Sequence, residues 1–241
     1  MDRIAIFSDI HANLPALQAV LADMDQRGLN QRYCLGDLVG YGTFPNEVIE
    51  IIRGNKIPTI MGNYDQGVGY SSDECGCAYK TAEEEALGKR SIAWSNAHTT
   101  AENKAFLRSL LPQITFQLGD LRVVLAHGSP RRINEYLYID RPDAGLERIL
   151  DGVSADVLVV GHTHKPYHRV LPSGRHVINE GSVGKPKDGD PRACYVILEA
   201  AGWDLKVELV RVPYDVEKTA TAIEASEMPS EYARMLRTAS G

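Results

Sequence analysis

Five short polar blocks along this chain each follow an apolar run, and this coincidence constrains the fold more than any other feature. The blocks are Asp9-Ile10-His11, Gly36-Asp37, Gly62-Asn63-Tyr64-Asp65, His127-Gly128 and Gly161-His162-Thr163-His164. The runs before them are Ile4-Ala5-Ile6-Phe7, Tyr33-Cys34-Leu35, Pro58-Thr59-Ile60-Met61, Val123-Val124-Leu125-Ala126 and Val157-Leu158-Val159-Val160. Short β-branched and aliphatic runs of this kind read as buried strands. Strands of a parallel or mixed sheet bring their C-terminal ends to one edge, where open α/β sheets build their sites. Two aspartates, an asparagine and four histidines would then converge, a donor set that calls for more than one metal ion.

The rest of the chain fills in an α/β architecture. Residues 12–27 carry Leu14, Leu17, Leu21 and Met24 at helical spacing, with Pro15 in the first turn and Gly28 as a stop. A second helix is expected over 46–53. Strand, helix, strand in succession implies parallel strands joined by crossover helices. Residues 65–110 break that rhythm: a Gly-rich polar stretch leads into helical patterns over 79–97 and 102–110, with no strand evident. An insertion beside a ligand block is a candidate lid, or a helical layer packed on the sheet, and the two readings are compatible.

Beyond residue 113 the pattern turns β-rich. Gly119-Asp120, Pro172-Ser173-Gly174 and Ala201-Gly202 each separate two strand-like segments, a hairpin signal. Three hairpins and a connecting strand are expected to make a second sheet, followed by helices over 215–225 and 230–237. No domain linker interrupts the 241 residues, so one domain with a helical insertion at about 65–110 is expected.

Composition narrows the function classes. A net charge of −6 leaves no basic field for nucleic acid or an anionic membrane. The chain enters a strand almost at once, without a signal-peptide pattern, and no apolar stretch approaches the ~20 residues a span needs. Cys34, Cys75, Cys77 and Cys194 show no disulfide framework, which fits a cytoplasmic location. Cys75-Gly76-Cys77 lacks a second pair at zinc-finger spacing and reads as ordinary loop thiols.

In an extended chain residues i and i+2 share a side, so Asp9 with His11, and His162 with His164, can each reach one ion together. Asp37 and His127 come singly beside glycines, and Asn63 adds an amide oxygen. His98, His168 and His176 lack this context and read as non-ligands.

The order D-x-H, GD, GN-x-D, HG, GH-x-H resembles the calcineurin-like metallophosphoesterase superfamily, over about residues 4–184. The resemblance implies a four-layer αββα sandwich of two mixed sheets flanked by helices. It places Asp9, His11 and His164 on one metal and Asn63, His127 and His162 on the other, with Asp37 bridging. The cofactors expected are two divalent ions, Mn, Fe or Zn, which this mixed donor set suits better than Ca²⁺. The implied activity is hydrolysis of phosphate esters by a metal-bridging hydroxide, with Asp37, Asn63, Tyr64 and His127 at the reacting phosphate. The chain looks closest to the small bacterial and archaeal phosphodiesterase-like members.

Two departures bear on substrate. Many members carry His where this chain has Tyr64, and a phenol of ordinary pKa about 10 is a weaker donor to a leaving group. Phosphodiesters are therefore favoured; the alternative role for Tyr64 is packing against the insertion. Asn179-Glu180-Gly181-Ser182 is similar to an N-P-G-S segment, with Glu180 replacing Pro; Ser182 is a candidate phosphate contact. Asp65 is expected to position its turn, and Arg131 and Arg132 to be solvated. The alternatives carried forward are a phosphomonoesterase, a nucleotide phosphatase or pyrophosphatase, and a catalytically silent metal-binding scaffold. The expected partner is a phosphate-ester small molecule or nucleotide, and an apolar edge of the second sheet would support a homodimer.

Overall fold

A computed structural model describes residues 2–241. Its strands are β1 (Asp2–Phe7), β2 (Gln31–Cys34), β3 (Gln113–Leu118), β4 (Leu121–Ala126), β5 (Val157–Val160), β6 (Tyr167–Val170), β7 (His176–Asn179), β8 (Ala193–Ala201) and β9 (Asp204–Val212). Its helices are α1 (Leu14–Gln26), α2 (Pro45–Gly54), α3 (Asn63–Gly69), α4 (Ala82–His98), α5 (Ala101–Ser109), α6 (Asp143–Val153), α7 (Val216–Glu224) and α8 (Glu231–Thr238). They form two mixed sheets, ordered β2-β1-β8-β9 and β3-β4-β5-β7-β6.

Alternation along the strands explains the layers. Ile4 and Ile6 of β1 share a core with Val123, Leu125, Val157 and Val159 of the second sheet, together with Val196 and Leu198 of β8. Their neighbours Ala5 and Phe7 turn the other way, into a cluster with Leu17, Val20 and Met24 of α1 and Val48 and Ile52 of α2. On the far side, Leu158 and Val160 of β5 pack with Leu146, Ile149 and Leu150 of α6. The inner strands β1, β4, β5 and β8 are thus covered on both faces, which is why they read as apolar runs. The stack is helix, sheet, sheet, helix, the expected αββα sandwich.

Two expectations need correction. The last hairpin does not join the second sheet: β8 pairs antiparallel with β1, placing Ile4 opposite Leu198, and β9 follows at the edge. The reason is the run Ala193–Leu198, buried on both faces. It needs a central position between two cores, and β1 offers an open edge for one. Residues 58–61 form only isolated bridges, Cys34 with Thr59 and Ile60 with Leu111, rather than a strand.

The insertion contains α3, α4 and α5 and, as expected, no strand. α4 is capped by Thr81, whose side chain accepts from the Glu84 N–H, and opens with Glu83, Glu84 and Glu85 against the helix dipole. The helices pack beside α2, while the loop before α4 crosses toward the strand ends, where Asn63 donates to the Cys75 carbonyl. The insertion forms a helical layer, and its Cys75 loop reaches Asn63. α3, whose sequence is Gly-rich, and α6 were not anticipated.

Candidate metal centre

The loops leaving β1, β2, β4 and β5 meet at one end of the sandwich, two from each sheet. Asp9, His11 and His164 bring one ligand atom each within 4.8 Å of one another, and so do Asp37, His127 and His162. Asp9, His11, Asp37, Asn63, His127, His162 and His164 are all buried, none more than 4% exposed. His98, stacked on Trp94, and the stacked pair His168 and His176 lie outside both groups.

Asp9 and His11 enter one group, as their spacing suggests, but His162 and His164 go to different groups. The extended geometry that would pair them is absent: Asp9, His11, Asp37, His162 and His164 all have φ between 50° and 65°. Left-handed backbone at a non-Gly residue costs about 1–3 kcal/mol and persists only where the surroundings dictate it. Here glycine permits the crowding. A Cβ on Gly161 would lie 2.5 Å from Ser8 Oγ and 2.7 Å from Asp9 Oδ2, so only glycine lets the β5 loop approach β1.

Hydrogen bonding orients the imidazoles. The Nδ1–H groups of His11, His127 and His164 donate to the carbonyls of Val39, Leu35 and Lys185, at 2.9, 2.8 and 2.5 Å. A carbonyl can only accept, so each Nε2 is left as the lone-pair nitrogen, and each faces the centre. His11 Nε2 and His164 Nε2 are 3.2 Å apart, and His127 Nε2 is 2.9 Å from Asn63 Oδ1. In neutral rings the His11 and His164 Nε2 atoms are both acceptors, and a cation between them would account for their approach. Asp9 Oδ1 and His162 Nε2 are buried without any hydrogen-bond partner. The residues therefore fit a pair of cations.

Asp37 reaches both groups, its Oδ2 lying 3.5 Å from His127 Nε2 and 3.7 Å from His11 Nε2. Its Oδ1 accepts from the Tyr64 N–H at 2.8 Å. Asn63 is aimed by its amide nitrogen, which donates to the Cys75 carbonyl at 3.0 Å and to Cys77 Sγ at 3.3 Å. This gives the Cys75–Cys77 loop a part in the site that spacing did not reveal. The two thiols lie against each other.

The electrostatics favour cations. Burial would raise Asp9 and Asp37, yet the imidazoles of His164 and His127 respectively hold them below the ordinary carboxylate range. Burial would lower His127, but Asp37 and then Asp9 lift it to about 10. Burial pushes His162 and His164 down to about 3, assisted respectively by His127 and Lys187. Two buried carboxylates, Asp9 and Asp37, would leave two divalent ions a net positive charge with which to hold a phosphate.

Outer contacts hold the ligands in place. Asp65 accepts from the backbone N–H groups of Asp37 at 2.7 Å, Leu38 at 2.8 Å and Gly62 at 3.0 Å, so it positions the turn as expected. Ser8 donates to Asp9 Oδ2, and its oxygen accepts from Glu180, whose carboxyl is raised well above its ordinary value by burial and by Asp9. Ser182 does not face the centre as a phosphate contact: its hydroxyl donates to the Asp9 carbonyl at 2.8 Å and accepts from the Lys185 N–H. Arg131 pairs with Glu135 on an exposed surface. Tyr64 is buried, its ring edge-on to His11 at 5.5 Å and beside Tyr41 at 4.7 Å, with no hydrogen-bond partner for its hydroxyl.

Over this centre lies a cleft bordered by Thr163, by Tyr41 and Tyr136, and by Cys77 and Tyr79 of the insertion. Tyr136 packs on the His162 ring at 4.1 Å and Tyr41 on His11 at 4.7 Å, so the floor of the cleft is one residue thick above the ligands.

Fold and donor set together define a metal-dependent phosphoesterase, a hydrolase. Residues 2–202 match the calcineurin-like phosphoesterase superfamily domain, and the chain belongs to that family. An uncharacterized protein of Methanocaldococcus jannaschii is 36% identical over 243 residues, covering 94% of this chain and 93% of that protein. The crystal structure of a metallophosphoesterase from Sphaerobacter thermophilus is similar, with 30% identity, a TM-score of 0.77 and 98% of each chain covered. A hypothetical protein from Pyrococcus horikoshii gives a TM-score of 0.83 at 25% identity, again over 98% of each chain. Among the described residues no helix is long and apolar enough to cross a membrane.

Proposed function

We propose that this phosphoesterase acts on phosphodiesters and other esters with good leaving groups, in preference to alkyl phosphomonoesters. Asp9, His11 and His164 would hold one divalent ion and Asn63, His127 and His162 the other, with Asp37 within reach of both. Such ions supply Lewis acidity, lowering the pKa of water and neutralising charge on a phosphoryl group. Mn, Fe or Zn suits the imidazole and carboxylate donors.

The protein's own part is positioning. Asn63 and His127 meet at 2.9 Å, and their partners at Cys75, Cys77 and Leu35 keep both from rotating. The observation that carries the substrate preference is Tyr64. Burial, with Tyr41 nearby, raises its phenol well above 10, so it is a poor proton donor near neutrality. A substrate whose leaving oxygen departs without a proton is then handled best.

The test is hydrolysis of bis(p-nitrophenyl) phosphate beside an alkyl phosphomonoester, in Mn²⁺. Diester turnover that Asp37→Asn removes, with little monoester turnover, is expected. Equal or faster turnover of the alkyl monoester would refute the preference.

A further inference from the structure

Spacing alone leaves Cys75-Gly76-Cys77 as ordinary loop thiols, but packing gives them a shared position. Both are free, and their sulfurs touch. The chain between them turns at Gly76, whose φ of 68° favours glycine. Asn134 holds that turn from outside, its amide nitrogen donating to the Gly76 carbonyl at 2.8 Å. The dithiol is thus assembled by a fixed turn.

The two sulfurs differ in their surroundings. Cys75 is 6% exposed and belongs to a core cluster with Val68, Ile92 and Leu107, its sulfur 3.4 Å from the Tyr79 hydroxyl. Cys77 is half-buried and borders two openings, the cleft over the centre and a groove beside Arg131, Arg132 and Asn134. A dissolved oxidant therefore meets Cys77 first, with Cys75 directly behind it. An accessible thiol next to a resolving thiol is the arrangement that favours reversible oxidation. Cys34, at the end of β2, and Cys194, in β8, are both buried and serve as internal references.

The pair is also tied to the ligand cluster. The Asn63 amide nitrogen has two acceptors there, the Cys75 carbonyl at 3.0 Å and Cys77 Sγ at 3.3 Å. These bonds keep Oδ1 of the same amide on the side of His127. A disulfide needs its sulfurs about 2.05 Å apart, so closure must move at least one of them. Cys75 is fixed among core side chains, so Cys77 is the one that moves, and Asn63 loses the acceptor it had. An amide freed at its nitrogen can rotate, and an NH₂ group turned to a cation donates hydrogen and does not ligate.

We propose that Cys75 and Cys77 are an oxidation site: hydrogen peroxide closes them into a disulfide, and closure loosens Asn63 from its metal ion. The Cys77 sulfur attacks one peroxide oxygen, the O–O bond breaks, and the other oxygen leaves as water with the thiol proton. The Cys75 sulfur then attacks the Cys77 sulfur of the sulfenic acid, the S–OH bond breaks, and a second water leaves. Two thiols have given up two electrons and two hydrogens, and peroxide has been reduced to water. Exposed disulfides are readily reduced again, so the closure is reversible. Oxidation stands without the hydrolase reading, whereas its effect on metal rests on Asn63 as a ligand.

The test treats the Zn²⁺-loaded protein with hydrogen peroxide, since Zn²⁺ has no redox chemistry of its own. Thiols titrated after unfolding should fall from four to two, and peptide mapping should place a bridge at Cys75 and Cys77 with the loss of two hydrogens. Competition with a chromogenic chelator should show one of the two ions held at least about tenfold more weakly, and a phosphine reductant should restore it. In Cys75→Ser, dimedone should trap a sulfenic acid on Cys77. If that variant does not fold, mapping of the unaltered chain decides the point. No bridge, or a bridge elsewhere, overturns the oxidation site. A mapped bridge with both ions held within about twofold of the reduced protein overturns the link to Asn63. Turnover of bis(p-nitrophenyl) phosphate by the reduced protein is followed in parallel. Its absence, with thiols and zinc responding as expected, overturns the hydrolase reading and supports this inference.

Discussion

Replacing Asp65 by asparagine should damage the centre without touching a metal ligand. The Asp65 carboxylate is fully buried and accepts three backbone N–H groups, from Asp37, Leu38 and Gly62, at 2.7, 2.8 and 3.0 Å. Two fall on Oδ2 and one on Oδ1. Asparagine keeps one acceptor oxygen and turns an NH₂ toward at least one of these donors. At minimum one charge-assisted bond is lost, about 1.5–3 kcal/mol, and a buried N–H is left unpaired, about 1–3 kcal/mol more. A total near 3 kcal/mol lowers Tm by about 6–12 °C for a chain of this size. The same turn carries Asp37, and a displacement of about 1 Å at a reacting group costs roughly 10²-fold in rate. Thermal unfolding and Mn²⁺-supported diesterase turnover, measured on one preparation, read both effects. A variant within about 2 °C of the parent and within about twofold in kcat would falsify the idea that Asp65 positions the bridging carboxylate.

Asp37→Asn should lose bound metal by elemental analysis and reduce turnover by more than the roughly 10–100-fold typical of losing a group that only supports a ligand. Removing metal with a chelator should lower Tm: two sites each held at about 100 times Kd contribute roughly 5 kcal/mol, or about 10–20 °C. Tyr64→Phe, which deletes a buried hydroxyl that has no partner, should leave Tm at or slightly above the parent and diester turnover within about threefold. A loss greater than about tenfold would assign that hydroxyl a direct part in leaving-group departure. Gly161→Ala should fold poorly or lose metal, because its Cβ would press on Ser8 and Asp9 and overpacking of this kind costs about 1–3 kcal/mol.

Much of this protein follows from local patterns. The apolar runs before each ligand block are continuous because sheets covered on both faces leave no polar side, so strand and block could be recognised together. All seven donor residues lie in those blocks, and the structure gathers all seven at one end of the sandwich. Hairpin turns at Gly119, Gly174 and Gly202 are local events, and each appears with positive φ where expected.

What tertiary structure decided is partnership across distance. Nothing in the run 193–201 says whether its hairpin joins one sheet or the other; the open edge of β1 settles it. His162 and His164 look like a pair from spacing, but left-handed turns send them to opposite groups, and that conformation is imposed by the crowding of β1 against β5. The hydrogen bonds between Asn63 and the Cys75–Cys77 loop, between Asp37 and Asp65, and between Ser8 and Glu180 span 12 to 172 residues. Lys185 is one lysine among several along the chain until packing buries it between Tyr41 and Tyr232. Local sequence specifies which atoms are available at each strand end, since that depends on short-range periodicity. Only the packed chain determines which of them share a cation, because that depends on angles set by residues far away.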